Sequence, residues 1–345
     1  MQGKMKVALT TGTRTMEIQE MDIPQIKANE VLVKIEYVGI CGSDLHFYEM
    51  ETTRPVYPII LGHESAGVVV EVGSEVTHLK PGDQVALEPG RTCGVCEYCR
   101  AGVYNLCVDV HFFATTKTPG VFKEYVAHEA ALCFKLPPNV STLEGALVEP
   151  LAVGFHAAFQ GGATLGQSAV VSGAGCIGLV SLLALKTLGC SRIYVSDVVP
   201  KRLEKALALG AAGVVNVAEK DLAQTVMDLN MGQGVDLFIE ASGVESAAAS
   251  GIEVLKKNRT LVFVGNPRGG MMNLPIGRAA SKELTMKGVF RYRHLYPLTI
   301  DMISEGKADV KSIVTDIFDF KDIQEAMEKS SANKAEIVKA VVKIA

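Results

Sequence analysis

No apolar run in the sequence reaches the ~18 positions that a bilayer-spanning helix requires. The opening residues, Met1-Gln2-Gly3-Lys4-Met5-Lys6, lack the apolar stretch of a secretion signal. A strong charge of either sign is missing too. The formal net charge of −4 gives a polyanion nothing to bind. Internal repeats and low-complexity segments are absent as well. These absences lead us to expect a soluble cytoplasmic protein with no nucleic-acid or membrane partner. The 345 residues, 48% of them apolar, are enough for two cores. At roughly 150 residues per domain, about two domains are expected.

Up to about Glu149 the sequence is rich in short strand and turn signals. Val31, Val33 and Ile35 alternate with Leu32, Lys34 and Glu36 as in a strand with one polar face. A second strand runs from Ala66 to Gly73, and a third, Gln84 to Leu87, follows the turn Lys80-Pro81-Gly82-Asp83. Beyond Glu149 strands and helices alternate. Strands are predicted at 169–172, 192–196, 214–217, 235–239 and 260–264. Helices are predicted at 177–188 and 201–209, the latter with Pro200 near its start and Gly210 past its end. Such an order predicts a doubly wound parallel sheet. A strand at 284–289, a helix near 298–303 and a strand at 337–344 close the chain and are expected to complete both domains.

Gly173-Ala174-Gly175-Cys176-Ile177-Gly178 sits between a predicted strand and a predicted helix. In that setting the first glycine permits the tight turn and the second lets the backbone approach a pyrophosphate. The third lets helix and strand pack closely, with the helix N-terminus facing the phosphate charge. Asp197 follows 19 residues after Gly178, at the end of the next strand. A carboxylate there suits ribose hydroxyls and repels a 2′-phosphate, which points to NAD rather than NADP. Lys201 and Arg202 argue the other way, and a plain helix-capping role for Asp197 stays open. Ile177, Arg202 and Val264 complete the expected cofactor contacts.

Four of the eight cysteines, Cys93, Cys96, Cys99 and Cys107, fall within 15 positions. In a cytosolic chain this spacing reads as a structural Zn2+ site rather than as disulfides. A second set of donors is dispersed: Cys41, His63, Glu64 and Glu149. A catalytic zinc needs about three protein ligands and an open position. Taken singly, Cys41 reads equally well as a buried thiol and His63 as a satisfied core histidine.

The motifs Gly39-Ile40-Cys41-Gly42-Ser43-Asp44, Leu61-Gly62-His63-Glu64, Val85-Ala86-Leu87-Glu88-Pro89-Gly90 and Gly145-Ala146-Leu147-Val148-Glu149-Pro150-Leu151 resemble those of zinc-containing medium-chain dehydrogenases. So do Gly173 to Gly178 and Gly288-Val289-Phe290-Arg291-Tyr292. The likeness is greatest to the sorbitol (L-iditol 2-) and xylitol dehydrogenases and covers nearly the whole chain. It implies a GroES-like, β-rich catalytic domain formed by residues 1–148 and 290–345, and a Rossmann NAD-binding domain formed by residues 149–289. It puts Cys41 and His63 on a catalytic zinc. Glu149 matches the position where many simple alcohol dehydrogenases carry cysteine, and Glu64 matches an adjacent, conditionally ligating glutamate; which of the two binds at rest stays open. The four-cysteine lobe matches a structural zinc site that some animal sorbitol dehydrogenases lack, which makes two zinc ions per chain. By the same likeness Ser43 contacts the substrate oxygen and His46 continues the proton path. Phe112, Arg291 and Tyr292 line the substrate side. One departure is Phe47, where polyol dehydrogenases often carry tyrosine. The activity implied is NAD-linked oxidation of a polyol to a ketose, in a homo-oligomer that is tetrameric by analogy. A related zinc dehydrogenase for threonine, a vicinal diol or a sugar-alcohol phosphate is the alternative, as is a non-catalytic cofactor-binding protein on this fold.

Overall fold

The alternating segment at Val31 folds as the long strand Glu30–Gly39, in which Val31, Leu32, Val33 and Ile35 are fully buried. The computed structural model describes residues 1–50 and 57–345. It divides into two compact units. The first comprises Met1–Glu149, Tyr296–Ser304 and Val314–Ala345. Its main sheet runs in the order Asp316–Asp319, Ala340–Lys343, Glu30–Gly39, Glu64–Val72, Gln84–Leu87, Cys133–Lys135, and Tyr125–Glu129 also pairs with Glu30–Gly39. Pairing is antiparallel apart from the outermost pair, Asp316–Asp319 with Ala340–Lys343. Gly39 pairs with Val341 on one side and with Glu64 on the other, so the last strand and the strand Glu64–Val72 flank the same glycine. The tail forms as a shorter strand than its apolar pattern predicts. The hairpin Lys4–Gly12 and Thr15–Asp22 lies outside this sheet.

The second unit comprises Pro150–Leu295 and Glu305–Ile313. Its six strands are all parallel, in the order Gly213–Asn216, Arg192–Asp197, Ser168–Ser172, Val235–Glu240, Leu255–Phe263, Thr285–Gly288. Ala169, Val170 and Val171 have no exposed surface, as expected for a central strand covered on both faces. The strand order reverses between Ser168–Ser172 and Val235–Glu240, the switch point where ligands bind in open sheets of this kind.

Residues 290–295 and 305–313, which the family likeness puts in the first domain, pack with the second unit. Hydrogen bonds show what holds the later segment there. The Thr187 hydroxyl donates to the Lys307 carbonyl at 3.2 Å, and Lys205 Nζ donates to the Ser312 carbonyl at 2.7 Å. Among the described residues no helix is long and apolar enough to cross a membrane.

Candidate metal centres and cofactor cleft

Cys41 caps the N-terminus of the helix Gly42–Glu49, and His63 and Glu64 stand where the strand Glu64–Val72 begins. Their donor atoms lie within 4.8 Å of one another, with His63 and Glu64 buried. Asp44, in the first turn of the same helix, fixes this geometry. It is 1% exposed and accepts hydrogen bonds from the Cys41 N–H at 3.0 Å and the Gly62 N–H at 2.9 Å. Its Oδ1 lies 3.6 Å from His63 Nδ1. A carboxylate behind Nδ1 orients the ring and leaves the Nε2 lone pair to face a metal, as is usual for a metal-binding imidazole.

The electrostatics ask for a cation. Burial works against a charged His63 ring, yet Asp44 and Cys41 outweigh it and hold its pKa well above the usual imidazole value. Burial also pushes the Asp44 carboxyl up, while His63 and the two backbone donors bring it below the usual carboxylate range. A thiolate, an imidazole and a carboxylate around one point form a donor set suited to Zn2+, whose binding displaces the ring proton.

Glu64 is shared. It forms a buried ion pair with Lys339, and Lys339 Nζ also donates to the Ile40 carbonyl at 3.0 Å. Gly39 is the residue that makes room, since a Cβ there would lie 2.0 Å from Glu64 Oε2. Glu149 is buried in the first turn of the helix Val148–Gln160, but it is not in the 4.8 Å group. Ser43 and His46 are exposed, three positions apart on the helix Gly42–Glu49, and so share a face. The Phe112 ring packs at 5.5 Å, tilted, against His63.

Cys93, Cys96, Cys99 and Cys107 also converge to within 4.8 Å. Their sulfurs stand 3.5 Å apart for Cys96 and Cys99, 3.5 Å for Cys93 and Cys107, and 4.0 Å for Cys93 and Cys99. Four thiolates at the corners of a Zn2+ tetrahedron with ~2.3 Å bonds are separated by about 3.8 Å. Backbone N–H groups point at the sulfurs, Cys96 N to Cys93 Sγ and Cys93 N to Cys107 Sγ, each at 3.4 Å. The backbone N–H of Cys99 leads in bringing the Cys96 thiol down to about 6, while burial leads in raising Cys99 to about 11. The Tyr104 hydroxyl ties this lobe to buried Glu88 at 2.8 Å.

In the second unit the glycine-rich turn stands at the switch point. Gly173 has φ +96°, and a Cβ on Gly178 would lie 1.7 Å from the Gly173 carbonyl oxygen, so both positions require glycine. The turn borders a cleft of about 550 Å³ whose lining includes Gly173, Asp197, Val198, Lys220, Ser242 and Val244. Asp197 Oδ2 accepts the Ala174 N–H at 2.7 Å, and Oδ1 accepts those of Val198 and Val199 at 2.8 and 3.0 Å. Arg202 Nη1 is 3.7 Å from Asp197 Oδ2 and is also the atom nearest a Cβ placed on Gly175, at 3.9 Å. Ile177 lies in the first turn of the helix Cys176–Thr187, and the Val264 N–H donates to the Glu240 carbonyl at 2.8 Å. Arg291 has φ +54° and its guanidinium covers the Phe290 ring at 4.7 Å, while Tyr292 beside it is buried.

Residues 27–138 match the alcohol dehydrogenase GroES-like domain and residues 176–305 the zinc-binding dehydrogenase domain. The chain belongs to the zinc-type medium-chain alcohol dehydrogenases. Within this family it is 44% identical to an uncharacterised zinc-type alcohol dehydrogenase-like protein of Escherichia coli, covering 96% of each chain. It is 38% identical to the sorbitol dehydrogenase of Bacillus subtilis, covering 98% of this chain and 97% of that one. An Escherichia coli oxidoreductase of unknown specificity superimposes with a TM-score of 0.95 at 42% identity, over 99% of this chain and 100% of the other. Two further dehydrogenase structures, each with a TM-score of 0.92 and covering 99% of this chain, differ in cofactor. One from Escherichia coli, 27% identical and 99% covered, is complexed with NADH. The other, from Sinorhizobium meliloti, 26% identical and 100% covered, is bound to NADP.

Three residues had no role in the sequence-based expectations: Asp44, Lys339 and Glu240. For Asp44 a signal was available, since an acid three positions after Cys41 fits capping-box spacing. Lys339 gave none, being 275 residues from Glu64.

Proposed function

We propose that this dehydrogenase oxidises a secondary alcohol of a polyol of the sorbitol, xylitol or L-iditol type to the ketose, using NAD and two zinc ions per chain. The observation that carries the reading is the converging donor set of half-buried Cys41 and buried His63 and Glu64, with Asp44 behind the imidazole. Bound at that site, zinc supplies Lewis acidity toward an alcohol oxygen, and the nicotinamide is the hydride acceptor. Cys41 and His63 hold the metal, with Glu64 or Glu149 as the further carboxylate ligand. Ser43 takes the hydroxyl proton and His46, on the same helix face, passes it to solvent. Phe112 closes the apolar side of the site. Arg291 and Tyr292 are assigned to the polyol chain beyond the reacting carbon, where a guanidinium offers five donors to adjacent hydroxyls. Likeness to sorbitol dehydrogenases supports the substrate class. The family likeness also underlies our assignment of a homotetramer, which analytical ultracentrifugation tests.

The deciding experiment is a substrate panel on the zinc-loaded protein with saturating NAD: sorbitol, xylitol, L-iditol, threonine, 2,3-butanediol, a hexitol phosphate and 2-propanol. The highest kcat/KM is expected on an unphosphorylated polyol. Higher efficiency on 2-propanol than on every polyol removes the polyol assignment and leaves the zinc chemistry standing.

A further inference from the structure

Glu240 ends the strand Val235–Glu240, on one side of the switch point, and has no exposed surface. Burying a carboxylate away from cations is costly unless its lone pairs are filled. Among the described residues the side-chain partners of Glu240 are all neutral. Oε1 accepts the Ser242 N–H at 2.8 Å, the Gly243 N–H at 3.0 Å and the Ser242 hydroxyl, and Oε2 accepts the Gly243 N–H at 3.1 Å. The main-chain carbonyl of Glu240 accepts the N–H groups of Val264 at 2.8 Å and Gly265 at 3.0 Å. One residue therefore holds the turns that follow two neighbouring strands.

The space around these turns is fully used. A Cβ on Gly243 would lie 2.4 Å from the Asn266 carbonyl oxygen, and one on Gly265 would lie 2.3 Å from Gly243 N and 2.9 Å from Glu240 Oε2. A Cβ on Gly173 would lie 3.1 Å from Ser242 Cα. The Ser242–Gly243 turn is thus wedged between the glycine-rich turn and the turn after Phe263. From that position Ser242, Val244, Ser246 and Ala247 line the 550 Å³ cleft.

We propose that Glu240 is a positioning residue for the dinucleotide: it acts through the Ser242–Val244 turn, fixing one wall of the cofactor cleft. This rests on the cleft being the dinucleotide site. All three donors converge on Oε1, and the Gly243 N–H also reaches Oε2, an arrangement that a carboxylate, with acceptor lone pairs on both oxygens, serves best. Glutamine in its place, at nearly the same volume, removes the charge and in either orientation of the amide turns an NH2 group toward the Gly243 N–H.

The test is calorimetric titration of the zinc-loaded full-length protein with NADH and with ADP-ribose, for the parent, Glu240→Gln and Ser242→Ala. For Glu240→Gln, Kd for both ligands is expected to rise about tenfold or more, the effect of losing hydrogen bonds to a charged group. The KM for the cofactor should rise in step, while kcat at saturating cofactor and zinc content stay at parent values. Ser242→Ala, which keeps the backbone donors, should give a smaller rise. A folded Glu240→Gln protein that binds both ligands like the parent overturns the proposal. If that variant does not fold, parent-like affinity in Ser242→Ala overturns it. A parent protein that binds neither ligand removes the cofactor reading itself, a result distinct from either variant failing to differ.

Discussion

Lys339 and Glu64 form an ion pair in which each side chain is 2% exposed, and Glu64 is at the same time one of three converging metal donors. The pair joins the residue just before the last strand to the candidate metal centre. Removing one partner of a buried pair leaves the other charge unpaired, which costs roughly 3–5 kcal/mol. Lys339→Met should therefore lower the urea stability of the metal-free protein by that order. Adding Glu64→Gln should restore most of the loss. If the double variant is no more stable than the single one, the pair is not what Lys339 contributes.

Asp44 holds His63 without touching the metal position. Asp44→Asn keeps the shape of the side chain and removes its charge. Loss of such an outer-shell carboxylate weakens metal binding by roughly 10–100-fold. Chelator competition at the catalytic site should show that drop, while the four-cysteine site keeps its affinity. Equal weakening of both sites points to a general loss of structure instead.

The cysteine lobe makes the opposite demand. Cys96 forms the N-cap of the short helix Glu97–Arg100, and the lobe contains little apolar packing of its own. Cys96→Ser should release one zinc per chain and lower the melting temperature, with the catalytic zinc retained. A parent protein that is fully active with a single zinc refutes the two-site assignment.

Local chemistry made most of this molecule legible in its sequence. The parallel sheet was read from apolar runs separated by helical periods. The four-thiol lobe was read from spacing, and the glycine-rich turn from its place between a strand and a helix. What escaped is long-range or irregular. The helix Gly42–Glu49 has no apolar stripe, and its only cue is Asp44 in the first turn. Lys339 stands just before a strand whose place is set by long-range pairing, with Tyr37–Gly39 on one side and Asp316–Asp319 on the other. Glu240 falls one position past the strand predicted at 235–239 and nothing in the sequence marks it, because its partners are the N–H groups and hydroxyl of the turn that follows. The placement of residues 305–313 depends on single side chains reaching main-chain carbonyls, which no periodicity announces.

Away from the metal sites, Asp236 links the base of the second unit's sheet. It accepts the Ser168 N–H at 3.0 Å and the Ser168 hydroxyl at 2.9 Å, and pairs with Lys256 and Arg259, each at 3.1 Å. Burial pushes its carboxyl up, but Ser168 and Lys256 hold it below the usual value. A folded pKa below the unfolded one stabilises the protein above about pH 4, and this is lost as pH falls through the folded pKa. Asp236→Asn should cost roughly 1–3 kcal/mol at pH 7. The gap to the parent should shrink as pH falls below about 4. Urea titrations across that range decide it, and a gap that does not change with pH rules out a contribution from the ionised form.

In the proposed NAD site, cofactor choice is assigned to Asp197, and its surroundings define what a substitution there should do. The side chain is 8% exposed and already accepts three backbone N–H groups, one of them from Ala174 in the glycine-rich turn. Asp197 therefore anchors the turn and also lines the cleft proposed for the cofactor. Asp197→Ser removes both functions. Losing the anchor weakens NAD and NADP alike, by about tenfold or more for a hydrogen bond to a charged group. Losing the charge relieves repulsion of a 2′-phosphate and helps NADP alone. The kcat/KM ratio of NAD to NADP should consequently fall toward one, with NAD bearing most of the loss. Arg202 gives the complementary test, because its guanidinium lies 3.7 Å from Asp197 and offsets part of that negative charge. Arg202→Ala should strengthen discrimination against NADP rather than weaken it. A parent enzyme that already prefers NADP would mean that Arg202 and Lys201, rather than Asp197, set the field in this cleft.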